Sequence, residues 1–174
     1  MKILAFGATN HSASINQQLA KYAASLVPNA EVETLDLNDF EMPIYSQDRE
    51  AELGQPEQAQ LFFRKIGEAD ALIISFAEHN GSYTAAYKNL FDWTSRIDMK
   101  VFQSKPVVFL STSPGPGGAG SVLASAVNSA PFFAAEVKGS LSVPSFFDNF
   151  DMEAGVIKDA AIDEQLKAVV AKLA

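Results

Sequence analysis

A doubly wound α/β sandwich, a five-stranded parallel sheet with helices on both faces, is the fold this 174-residue sequence predicts. Three observations point to it. Five apolar, β-favouring runs stand out, at residues 2–6, 31–37, 71–76, 106–112 and 136–143. The first, third and fourth are almost unbroken in apolar residues, as parallel strands covered on both faces require. Between the runs lie segments with apolar residues at three- and four-residue spacings, so strand and helix alternate along the chain.

Taken in order, residues 2–6 form the first strand, and residues 15–26 set Leu19, Tyr22, Ala23 and Leu26 on one helical face. Residues 31–37 alternate, as expected nearer a sheet edge. Residues 38–55 read as one long irregular connection, a candidate lid or dimer contact. A helix over 56–67 opens on Pro56 at its first position and carries Leu61, Phe62 and Ile66 on one side. The third strand, 71–76, leads to a helix over 84–97, and the fourth, 106–112, to a helix over 121–133. The alternating fifth strand is followed by a helix over 159–173, with Ile162, Leu166, Val169, Val170 and Leu173 along one stripe. Right-handed crossovers narrow the topology, and the flavodoxin-like order 2-1-3-4-5 is the commonest five-stranded outcome. No repeat, low-complexity stretch or linker divides residues 1–174, which read as a single domain.

Composition excludes several classes of function. A net charge of −8 argues against nucleic acid or an anionic membrane as partner, and means an anionic ligand must be held by local dipoles. There are no cysteines, hence no disulfide, thiolate metal site or cysteine nucleophile. Mean hydropathy near zero fits an ordered globular chain. No apolar run approaches the roughly 18 residues of a membrane span, and the N-terminus reads as a strand rather than a signal peptide. The expected setting is cytoplasmic.

In a parallel sheet the loops after strands one, three and four share one edge, where open α/β sheets bind ligands. The first, Gly7-Ala8-Thr9-Asn10-His11-Ser12-Ala13-Ser14-Ile15-Asn16, offers the hydroxyls of Thr9, Ser12 and Ser14 and the free amides of a helix start. A helix N-terminus carries roughly half a positive charge and attracts phosphate, and His11 adds charge at mildly acid pH. A plain N-cap by Ser14 would use the same groups. The second, Glu78-His79-Asn80-Gly81-Ser82-Tyr83, supplies backbone donors and acceptors with one amide side chain, chemistry that suits a flat hydrogen-bonding ring; taken alone, it is a turn. The third, Ser111-Thr112-Ser113-Pro114-Gly115-Pro116-Gly117-Gly118-Ala119-Gly120, allows close backbone approach to a ligand, or is simply flexible. Its literal G-x-G-x-x-G is not a dinucleotide fingerprint, since it follows the fourth strand and holds a proline in the tight turn. His11 and His79 lack neighbouring carboxylates at ligand spacing, so no metal site is expected. No nucleophile elbow or catalytic acid–base pair stands out, so no catalytic residue is assigned. Asp148, Asp151 and Glu153 read as a solvated turn, and Phe132-Phe133 and Phe146-Phe147 as core or interface.

Together the three loops resemble the NAD(P)H-dependent FMN reductase family, which includes quinone, chromate and azo-dye reductases. That family carries Gly-Ser-x-Arg-x-x-Ser-x-Asn in its first loop, Pro-Glu-Tyr-Asn-Gly-Ser before Leu-Lys-Asn-Ala-Ile-Asp-Trp in its second, and a Ser-Pro-Gly-rich third. Here Ser14-Ile15-Asn16, Glu78, Asn80-Gly81-Ser82, Lys88-Asn89, Asp92-Trp93, Ser95-Arg96 and Ser113-Pro114-Gly115 match, over nearly the whole chain. Ala8 and Asn10 replace the phosphate-loop serine and arginine, and Ala77 and His79 the second-loop proline and tyrosine. The resemblance implies FMN, with its phosphate on Thr9, Asn10, His11, Ser12, Ser14, Ile15 and Asn16. Its ring would lie over Glu78, His79, Asn80 and Gly81 and over Ser113, Pro114, Gly115, Gly117 and Gly118. It further implies NADPH or NADH as co-substrate, a quinone-like acceptor, and a homodimer or homotetramer in which the helix bearing Trp93 and Arg96 is a candidate contact. A flavodoxin-like electron carrier, and a relative that has lost flavin through Ala8 and Asn10, are the alternatives.

Overall fold

The computed structural model describes all residues from Met1 to Ala174. Five strands, β1 (Lys2–Gly7), β2 (Glu31–Thr34), β3 (Ala71–Phe76), β4 (Pro106–Thr112) and β5 (Glu136–Val143), form one parallel sheet in the order β2-β1-β3-β4-β5. This is the expected fold class and strand order. The registers Gly7↔Ser75 and Phe76↔Ser111 bring the carboxyl ends of β1, β3 and β4 level with one another.

Side chains alternate across the sheet and build two cores. Leu4, Phe6, Leu72, Ile74, Phe76, Val107 and Phe109 face helices α3 (Glu57–Glu68), α4 (Ala85–Ser95) and α5 (Gly120–Ser129), which contribute Phe62, Ile66, Leu90, Trp93 and Val122. Ile3, Ala5, Ala71, Ile73, Val108 and Leu110 face α1 (Ile15–Ser25) and the C-terminal helix, Ala160–Val170, through Leu19, Ala23, Leu166 and Val170. All six β3 residues are buried, whereas β5 alternates, which is why the unbroken apolar run marks a central strand and the broken one an edge.

The sequence-based boundaries shift where short-range chemistry overrides periodicity. β2 stops at Thr34, and the connection over 38–55 is only partly irregular: a 3-10 turn, Leu37–Phe40, and a stretch without regular structure over 41–46 lead to α2, Gln47–Leu53, capped by Ser46. Pro56 sits at the N-cap of α3 rather than inside it. After α5 the chain tightens into a 3-10 turn, Ala130–Phe133. Beyond β5, one helical turn, α6 (Phe146–Asn149), leads into a two-stranded hairpin, β6 (Phe150–Asp151) and β7 (Val156–Ile157); the final helix is therefore α7. Asp151 caps the hairpin turn by accepting from the amides of Glu153 and Ala154, both at 2.9 Å. Phe146 is core, whereas Phe132 and Phe147 face solvent. No helix is long and apolar enough to cross a membrane.

Candidate functional site

Because β1 continues to β2 on one side and the chain then crosses to β3 on the other, the β1/β3 boundary is the switch point of the sheet, where its crevice opens. The first loop leaves β1 at Gly7, where a Cβ would lie 2.6 Å from the amide nitrogen of Gln17, so only glycine lets α1 return this closely over the strand. Ser14 caps α1 by accepting from the amide of Gln17 at 3.1 Å, as its residue type predicts. The amides of Asn10, Ser12, Ala13, Ile15 and Asn16 have no acceptor within the chain. Thr9 and Ser14 are buried, while Asn10, His11 and Ser12 are exposed and Ile15 is half-buried.

The Asn16 side chain does not face the crevice. It is buried, accepts from the Ser75 hydroxyl at 2.7 Å and the Thr112 amide at 3.1 Å, and donates to the Thr112 carbonyl at 3.2 Å. One side chain thus locks α1 to both β3 and β4 beneath the site. Only its backbone N–H points outward with the other free amides of the helix start. Thr84 makes a second tie: it caps α4, accepting from the amide of Tyr87 at 3.2 Å, and its hydroxyl donates to the carbonyl of Ala8 at 2.9 Å. Neither Ser75 nor Thr84 stands out in the sequence; each is a polar residue within or shortly after an apolar run.

In the second loop Asn80 and Gly81 both adopt positive φ, at 53° and 75°, between paired residues His79 and Ser82. That is the two-residue hairpin turn that Asn-Gly favours, closed by the two backbone hydrogen bonds between His79 and Ser82 at 3.0 and 3.1 Å. The turn reading and the ring-binding reading are therefore compatible: the turn projects the exposed Asn80 side chain, which makes no hydrogen bond within the chain, and leaves the amides of Glu78 and Asn80 free. The Glu78 carboxylate accepts from the amide of Val122 in the first turn of α5 at 2.7 Å. It couples the second loop to the third, charge against helix dipole.

The third loop is held from below and bare above. Hydroxyls of Ser111 and Ser142 both donate to the carbonyl of Gly118, at 2.7 and 2.8 Å, and the amides of Ser145 and Phe146 hold the carbonyls of Gly115 and Ser113. Gly118 and Ala119 are consecutive left-handed residues, each with φ of 58°. A Cβ on Gly118 would strike the Ser142 hydroxyl at 2.3 Å, whereas one on Gly115 or Gly117 would enter open space. Ser113 and Pro114 begin the loop, and the amides of Ser113, Gly115 and Gly117 lack acceptors. The result is a backbone shelf open above Gly115 and Gly117, between the exposed Pro114 and Pro116 and bordered by free donors from three loops.

Three cavities adjoin these loops, the smallest, of about 190 Å3, lying between Asn10, Met42 and Asn89. A polar cleft of about 230 Å3 runs from Thr9, His11, Ser12 and Ser14 to Lys21 of α1 and to Asp36 and Asp39 after β2. An apolar cavity of about 420 Å3 lies between α4 and α5, lined by Phe76, Tyr83, Tyr87, Phe91, Phe109 and Phe133. Burial pushes the Tyr87 phenol well above its usual range, so it stays neutral there. A phosphate-bearing ligand suits the polar cleft and not the apolar cavity. No group of three or more His, Asp or Glu side chains is gathered in a way that could hold a metal ion.

This arrangement fits FMN: anion-seeking amides and hydroxyls on the first loop, ring-edge donors on the second, and a bare shelf on the third. Comparison with known proteins agrees. A family model described as NADPH-dependent FMN reductase matches residues 1–148. An NAD(P)H-dependent FMN reductase of Pseudomonas aeruginosa is 34% identical over 119 residues, 68% of this chain and 63% of that protein. A 2-hydroxy-1,4-benzoquinone reductase of a Burkholderia species is 37% identical over 107 residues, 60% of this chain and 56% of that protein. The chain therefore spans somewhat more than half the length of these relatives. Among solved structures, FerB, a flavoenzyme NAD(P)H:(acceptor) oxidoreductase from Paracoccus denitrificans, superimposes with a TM-score of 0.77 at 23% identity, covering 99% of this chain and 94% of that one, a likeness of fold.

Proposed function

This chain belongs to the NADPH-dependent FMN reductase family, and on that premise we propose that it is an FMN-dependent oxidoreductase that passes reducing equivalents from NADPH or NADH to quinone-like acceptors. The observation that carries the reading is the meeting of three donor-rich loops at the switch point of the sheet, around a glycine shelf that no side chain fills. When bound, FMN supplies the redox chemistry, accepting a hydride from nicotinamide and passing two electrons to an acceptor. The chain itself binds, orients and shields.

In this reading Thr9, Asn10, His11, Ser12, Ser14 and Ile15 hold the phosphate, joined by the backbone N–H of Asn16. Glu78, His79, Asn80 and Gly81 border the pyrimidine edge, chiefly through backbone groups, and Ser113, Pro114, Gly115, Gly117 and Gly118 form the bed of the ring. The absence of a side chain above Gly115 and Gly117 leaves room for a nicotinamide or an acceptor to stack in turn. No side-chain acid–base pair is needed, because the redox reactivity belongs to the cofactor.

The 174 residues act as one domain, in the cytoplasm, where reduced nicotinamide is at hand. Assembly as a homodimer is part of the same proposal. Trp93 is fully buried in the chain's own core and is not the contact; the apolar groove between α4 and α5, with exposed Met99 and Phe132 nearby, is the face that serves.

The test is reconstitution of the purified chain with FMN, followed by steady-state oxidation of NADPH and of NADH with a benzoquinone. Retained yellow colour and sustained quinone-dependent turnover are expected, with sedimentation as a dimer. A flavin-loaded protein that turns over only with an added reductase would make it a carrier instead, and a chain that ignores FMN would refute the reading.

A further inference from the structure

The phosphate seat has no cation of its own. Between Gly7 and Asn16 there is no lysine or arginine, and the molecule carries a net charge of −8. Two carboxylates, Asp36 and Asp39, stand across the cleft from the hydroxyls of Thr9, Ser12 and Ser14. Asp36 is partly satisfied by the backbone and side-chain N–H groups of Asn38, at 2.9 and 2.8 Å. A phosphate monoester near neutral pH carries between −1.5 and about −2 charges, so half a charge from the helix start leaves this seat short.

One lysine enters the same cleft. Ser14, Gln17 and Lys21 follow one another at three- and four-residue spacings and share a face of α1. Gln17 is fixed, its carbonyl oxygen accepting from the amide of Gly7 at 2.6 Å and its amide donating to the carbonyl of Leu35 at 3.1 Å. Lys21 is not fixed: it is exposed and forms none of the ion pairs in the molecule. Side chains on a helix tilt toward its N-terminus, the end at which the amides of Ile15 and Asn16 are unpaired. The stem is flexible, and no ion pair fixes the head, although Asp36 and Asp39 line the same cleft.

We propose that Lys21 is the cation that balances the cofactor's phosphate in this chain, acting across the cleft from the helix where the loop provides no basic residue. Lys21 is thus a positioning residue: it sets how tightly phosphorylated flavin is held and does not touch the reacting ring. The inference rests on the FMN reading and adds to it the side chain by which FMN is held more tightly than riboflavin.

The experiment uses the full-length chain freed of flavin, with FMN and riboflavin titrated separately by quenching of flavin fluorescence. The wild type binds FMN more tightly than riboflavin. Lys21→Met, which keeps the apolar stem, weakens FMN by about tenfold, as one screened charge facing a phosphate should, and leaves riboflavin unchanged. It also flattens the salt dependence of FMN binding, while Lys21→Arg retains both. Asp39→Asn has the opposite effect and tightens FMN. Equal FMN affinity in wild type and Lys21→Met would overturn the role of Lys21, as would an equal loss for both ligands, which marks general damage. A wild-type chain that does not distinguish FMN from riboflavin would instead overturn the phosphate seat itself.

Discussion

At the scale of single residues the site is built from below. Ser14 and Asn16 stand two residues apart and match the same family pattern, yet they do different work. Ser14 caps a helix, and its loss costs about 1 kcal/mol. Asn16 makes three buried hydrogen bonds to Ser75 and Thr112, residues at most 1% exposed. Removing it strands buried donors and acceptors, each of which costs about 1–3 kcal/mol. Asn16→Ala should therefore lose about 3 kcal/mol in urea unfolding, and Ser14→Ala about a third of that. Equal losses would show that the lock between α1, β3 and β4 is not what holds the loop. The motif made both residues visible in the sequence. Which way the Asn16 side chain turns was not legible, because that depends on partners 59 and 96 residues away.

At the scale of elements, α4 explains why the Lys88–Arg96 stretch is so recognisable. Its work is to strap down the segment before α2. Asn89 accepts from the amide of Tyr45 at 2.8 Å and donates to the carbonyls of Met42 and Pro43 at 3.2 and 3.1 Å, and the Trp93 indole donates to Pro43 at 2.8 Å. The rings of Tyr45 and Trp93 meet edge to face at 5.1 Å. Hydrogen bonds from Arg96 and then Tyr45 hold the Glu50 carboxyl below its usual range. This strap also reaches the site, since Asn38 donates to the carbonyl of Asn10 at 3.0 Å. In Asn89→Ala, amide exchange should quicken around Tyr45 while the β3 and β4 amides keep their protection; unchanged exchange at Tyr45 would contradict the strap. The segment read as irregular in the sequence because none of the α2 residues is buried, so no apolar period marks the helix. Only Ser46, a capping residue before a polar run, announced it. The hairpin of β6 and β7, two residues per strand, is too short to carry a period at all.

At the scale of the whole molecule, strand order does the assembling. Three loops that follow strand ends at Gly7, Phe76 and Thr112 meet because β1, β3 and β4 are neighbours and end level. This much was legible: unbroken apolar runs identify central parallel strands, and the parallel arrangement places their following loops at one edge. What lay beyond the sequence was the backbone detail, namely which amides remain unpaired and which glycines face open space, since both follow from loop conformation rather than residue type. The same holds for Lys21, which joins the first loop only through the pitch of α1.

The claim on which everything else depends is that these three loops form one flavin site. Amide chemical shifts of the flavin-free protein, followed by NMR as FMN is added, test it most directly. The largest changes are expected to fall together on residues 10–16, 78–81 and 113–118. Changes confined to the apolar cavity between α4 and α5, or none at saturating FMN, would contradict it.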